Sequence, residues 1–233
     1  MGQSQGTARA CIKLIAQGDE DLFLSLRYAL PADRPRLAAL FAFQVELRRI
    51  PARVSEPPLG EMRLQWWREA LDEIAAGGPV RGHPVVEAIA RSAPFDGGRR
   101  AAAERLIDGR ARLLYQPKMT SLADYLEFVK EAEAPLAALA LSSADAADRM
   151  ADRAEAYALA RFAPSLAPSI AAEACESARR LLGASAAAAQ PSGVIGQVAF
   201  LSLAKGYASR PDGRAWPAGK RLALLKCVLT GRL

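Results

Sequence analysis

Residues 33–50 read as a helix that is apolar around most of its circumference, and such a helix is stable only inside a bundle. Asp33 is suited to its N-cap, and the segment closes before Pro51, because the residue ahead of a proline disfavours the α region. One stripe holds Leu40, Phe43, Leu47 and Ile50; a second holds Phe41, Gln44, Val45 and Arg48. Gln44 and Arg48 therefore enter an interior where every polar group needs a partner.

The rest of the chain supplies that interior. Of 233 residues, 51% are hydrophobic, which suffices for one large core without disulfides. Alanine and leucine dominate, β-branched residues are scarce and no stretch reads as a strand, so the expected fold is all-α, a single helical bundle over 1–233. Further helices are predicted at 8–17, 19–29, 59–76, 84–92, 99–115, 122–143 with a kink at Pro135, 145–163, 168–185, 194–209 and 218–230. Gly77 or Gly78 is placed to end the helix before it in a left-handed cap, residues 96–98 read as a turn, and 184–193 as a flexible connector.

Several function classes drop out. Cys11, Cys175 and Cys227 are far apart and odd in number, which favours a reducing, cytoplasmic setting. No apolar run is long enough to span a bilayer. His83 is the single histidine and reads as a loop or helix-start residue, so no metal site is expected. No glycine-rich phosphate loop or nucleophile elbow occurs, and no cofactor is expected. The net charge of +6 is spread along the chain with few aromatics between the cations, which argues against a nucleic-acid partner.

Two acidic sets remain: Glu69, Asp72 and Glu73, and Asp124, Glu127 and Glu131. Facing each other they would suit Mg²⁺, but Arg68 and Lys130 lie beside them, and both sets read as solvated faces, with Arg68 pairing to Asp72. The basic, leucine-rich segment 220–233 fits either an anionic membrane surface or the flank of its own bundle.

Three stretches carry a family resemblance. They are Asp21–Pro31 followed by Arg36–Phe43, then Met62-Arg-Leu-Gln-Trp-Trp-Arg-Glu-Ala-Leu71 with His83-Pro-Val, and Tyr125–Leu139. In this order they resemble the squalene/phytoene synthase family, over about residues 10–210 and most strongly over 20–90. The resemblance implies an all-α isoprenoid-synthase fold, in which enzymes join two isoprenoid diphosphates through Mg²⁺ held by two Asp-rich helices. Counting from Phe43, the first Asp position of that family is Arg48 and the last is Ala52, with Pro51 expected to break the helix between them. The helix expected to carry the second motif, Tyr157–Ala163, runs into Pro164 and Pro168 with no Asp pair.

The resemblance thus implies a non-catalytic member with no catalytic residue. The context Ala42–Leu47, Val54–Pro57 and Met62–Trp67 is similar to one branch, which includes a mitochondrial respiratory complex I assembly factor. The implied partners are complex I subunits or assembly intermediates, with the protein cytoplasmic or peripheral at the inner membrane. A second reading is a module for a prenyl or anionic lipid, with Arg48, Arg49, Arg63, Gln44 and Phe41 as cavity and anion-binding candidates. Arg48 is equally suited to a buried ion pair with Glu46, Glu69 or another helix acid. A third reading is an active head-to-head prenyltransferase drawing on Glu69/Asp72 and Glu127/Glu131.

Overall fold

The computed structural model describes residues 2–93, 95, 97–185 and 189–233, the first four by backbone alone. Every regular element among them is helical, as composition and resemblance both imply. They fall into two compact units, Met1–Pro117 and Lys118–Leu233.

The first unit is built around the helix with no polar side. It comprises α1 (Gly2–Gly18), α2 (Glu20–Leu26), α3 (Arg34–Arg53), α4 (Pro57–Ala75), α5 (Pro84–Ser92) and α6 (Gly97–Tyr115). Every residue from Arg36 to Val45 is buried, and α3 touches each of the other five helices. α2 opens on Asp19, whose Oδ1 accepts from the Leu22 N–H at 3.0 Å. α4 ends in a Schellman turn. Gly77 takes φ 67° and donates to Ile74 O, and Gly78 donates to Glu73 O.

Several boundaries differ from the sequence reading. α1 begins at Gly2, not near residue 8; the Thr7 hydroxyl donates to Glu87 of α5 at 3.2 Å, fastening its early turns. α2 ends at Leu26, three residues before the predicted stop. α3 does not break at Pro51. The proline forfeits its own bond to the turn before, but the helix has only two residues left to run and closes at Arg53. α6 starts at Gly97, inside the expected turn at 96–98, of which Asp96 lies outside the described residues.

The second unit holds α7 (Leu122–Ala132), α8 (Pro135–Ala140), α9 (Ala144–Phe162), α10 (Pro168–Ala184), α11 (Ser192–Val198), α12 (Ala204–Ala208) and α13 (Pro217–Thr230). Short 3₁₀ turns occupy Ala163–Ser165 and Ala199–Leu203. α9 is its spine, packed on α10, α12, α8 and α7. Tyr125 of α7 is buried, and its hydroxyl donates to the carbonyls of Ala158 and Leu159 in α9. The expected kink at Pro135 is instead a full break, since proline fits the first position of a new helix better than the interior of an old one. The helix predicted over 194–209 resolves into α11, a 3₁₀ turn and α12. Residues 186–188 of the expected connector lie outside the described residues. No helix among the described residues is long and apolar enough to cross a membrane.

Candidate functional site

Arg48 lies five residues before the end of α3, where the resemblance calls for the first metal-binding carboxylate. Its guanidinium NH1 donates to Asp19 Oδ2, forming an ion pair with a carboxylate that has no solvent exposure. The same carboxylate caps α2. Arg48 is thus bound into the packing of the first unit by an acid at the α1–α2 junction, a helix acid other than Glu46 and Glu69 that the sequence reading left unnamed. Close approach of helices makes the pairing possible. A side chain at Gly18 would place Cβ 2.4 Å from Val45. Gln44 and Phe41, on the same stripe of α3, are fully buried in the core of the unit.

A different face of α3 opens into a cavity of about 470 Å³. α3 contributes Glu46, Arg49, Ile50 and Arg53; α4 contributes Met62, Arg63, Trp66 and Trp67; His83, the N-cap of α5, closes it. Of the five candidates read from sequence, Arg49 and Arg63 line this cavity, while Arg48, Gln44 and Phe41 do not. Arg53, Trp66, Trp67 and His83 were not among those candidates. Arg53 is one turn beyond Arg49 on the same face, which is the signal that points to it.

The aromatic wall is held from behind. Trp67 meets Phe43 edge to face at 5.2 Å, and the His83 ring packs edge-on against Trp66 and Trp67 at 5.6 and 5.2 Å. Arg81 lies 5.3 Å from the centre of the Trp66 ring and donates to both Glu69 and Glu73. His83 Nδ1 accepts from the Val85 N–H, so the neutral ring carries its proton on Nε2. Burial holds its pKa below the ordinary value, although Glu46 and Glu87 pull the other way. Arg53 and Arg63 beside an apolar floor can receive the anionic end of an apolar molecule, while Arg49 is paired with Glu46 at 3.4 Å; the cavity lining contains no hydroxyl or thiol nucleophile.

The acidic set on α4 is neutralised by cations. Glu69 and Glu73 bind Arg81 at 3.0 and 2.8 Å, and Asp72 binds Arg100 at 2.7 Å. The expected Arg68–Asp72 pair does not form. Arg68 reaches across to Glu104 and Asp108 of α6, where two acids outbid one on its own helix. Among the described residues, no three of His, Cys, Asp and Glu come together as metal ligands.

The sequence matches the squalene/phytoene synthase family over residues 15–166, from the end of α1 through α9. The chain belongs to that family. Within it, the chain is similar to proteins named NADH dehydrogenase (ubiquinone) complex I, assembly factor 6. The one from Bos taurus is 28% identical over 155 residues, which are 66% of this chain and 46% of the relative. Those from Rattus norvegicus and Homo sapiens are 29% and 26% identical over 149 and 153 residues, 63% and 65% of this chain and 44% and 45% of the relatives. The match spans under half the length of each. The position that the resemblance assigns to the first metal-binding carboxylate holds a cation paired with an internal acid.

Proposed function

We propose that this squalene/phytoene synthase family member serves the assembly of respiratory complex I through protein contacts, without prenyl transfer, and works at the periphery of a membrane. The observation that carries this reading is the Arg48–Asp19 pair. A divalent cation needs clustered oxygen ligands, and a guanidinium fixed at the expected ligand position repels it. The names of the curated relatives support the assembly role.

The test is genetic and enzymatic together. In a host that respires through complex I, loss of the gene should lower NADH-driven respiration of isolated membranes and leave succinate-driven respiration unchanged. The wild-type chain should restore it. Purified protein given farnesyl diphosphate and Mg²⁺ should form no condensed product. Unchanged NADH oxidation in the deletion strain removes the assembly reading, and product formation removes the non-catalytic one.

A second reading, capture of a prenyl or anionic lipid, is favoured by the α3–α4 cavity. Arg53 and Arg63 line it and form no ion pair among the described residues. A rise in melting temperature with farnesyl diphosphate, lost in Arg53→Ala/Arg63→Ala, is its expected signature.

A further inference from the structure

The second unit has its own cavity, of about 840 Å³, between α13 and the segments that carry Arg153, Leu201 and Lys205. Its charged side chains are all cationic. Arg153, Lys205, Lys226 and Arg232 line it, and no aspartate or glutamate does. Lys205, Lys226 and Arg232 form no ion pair among the described residues. Arg153 is buried and gives one donor to the Leu233 carbonyl at 2.8 Å. Trp216 forms part of the wall, and its indole Nε1 is buried with no hydrogen-bond partner among the described residues. Cationic side chains gathered around one cavity are complementary to a ligand rich in anionic oxygen.

The outer face of α13 indicates which anion. Leu222, Leu225 and Leu229 are 66, 44 and 76% exposed and spaced three and four residues apart, so they form one stripe facing solvent. Lys226 is one turn beyond Leu222, which sets the leucine stripe against the cationic rim of the cavity. A soluble phosphate would explain the cations and leave the leucines without a purpose. A phospholipid engages both, with its phosphate among the cations and its chains beside the leucines.

We propose that this cavity takes the phosphate of an anionic phospholipid while the leucine stripe of α13 enters the edge of the acyl layer, an inference that rests on the membrane-surface reading above. Sedimentation of the purified chain with vesicles tests it. The wild type should partition onto phosphatidylcholine vesicles containing phosphatidylglycerol, and not onto phosphatidylcholine alone. Lys205→Gln/Lys226→Gln should weaken partition by about thirtyfold, each cation near an anionic surface being worth about a factor of five. Leu222→Ser/Leu225→Ser/Leu229→Ser should weaken it by an order of magnitude or more.

All five substituted residues are exposed, so both variants should melt as the wild type does. If either does not, loss of wild-type binding on adding salt replaces it as the readout. Equal binding to neutral vesicles, or binding indifferent to the lysine pair, overturns the proposal. So does a melting shift with inorganic phosphate that the lysine pair abolishes, without vesicle binding, since free phosphate is then the ligand. Because the assay needs no complex I, its failure leaves the assembly role standing, and a failed genetic test leaves the vesicle result standing.

Discussion

Arg48 donates to one oxygen of Asp19 while the other oxygen of Asp19 caps α2 through the Leu22 N–H, so a single buried carboxylate ties the start of one helix to the later part of another. Asp19→Ala removes both bonds at a buried site, the helix cap and the counter-charge to Arg48. The expected loss is about 3–4 kcal/mol of unfolding free energy. Asp19→Asn keeps the cap and should lose clearly less. Chemical denaturation of the three proteins decides it, and equal midpoints for Asp19→Ala and wild type would refute the pairing.

The neutral His83 ring makes the first unit sensitive to acid. Its folded pKa lies below the 6.5 of an unfolded imidazole, so the unfolded chain takes up the proton first. The contribution is complete above pH 6.5 and is lost as the pH falls through the folded pKa. Glu73, held below the usual carboxylate range by Arg81, adds a separate loss nearer pH 4.5 and below. In His83→Asn, which keeps a capping side chain, the loss beginning at pH 6.5 should vanish from melting curves recorded against pH, and the lower one should stay.

The three cysteines are all buried, and burial pushes Cys11 and Cys227 up to about 11 and raises Cys175. At pH 8 little of any thiol is the reactive thiolate. Disulfide-exchange reagents should therefore label the native protein at least tenfold more slowly than the protein in denaturant. Rapid native labelling of any of the three would show that its packing opens readily.

Gly206 of α12 lies against the Trp216 indole so closely that a Cβ there would sit 2.0 Å from the ring. Gly206→Ala must displace a rigid aromatic wall, at a cost of about 1–3 kcal/mol. Gly60→Ala meets only the Leu114 side-chain tip at 2.3 Å, which has more freedom to turn away. Thermal melts should rank Gly206→Ala as the less stable of the two.

What the sequence disclosed and what it withheld divide by range. The apolar circumference of α3 is local information, and its burial from Arg36 to Val45 follows from it. The identity of Arg48's partner is not local, because Asp19 is 29 residues away and reads as an ordinary first-turn acid until α1 and α3 pack. The same holds for Arg68, whose neighbour Asp72 looked sufficient until α6 brought Glu104 and Asp108 alongside. At the α3–α4 cavity, Arg49 and Arg63 were legible as cations near a family motif. The roles of Trp66 and His83 depend on ring packing across three elements, which no spacing rule encodes.

The double duty of Asp19 also constrains what position 48 can hold. Arg48→Asp would set two carboxylates against each other at a buried site and strip the cap's counter-charge, so this variant should fold poorly. A carboxylate at 48 therefore requires position 19 to change in concert. Positions 19 and 48 are coupled through one buried charge pair, so neither can take the opposite sign alone.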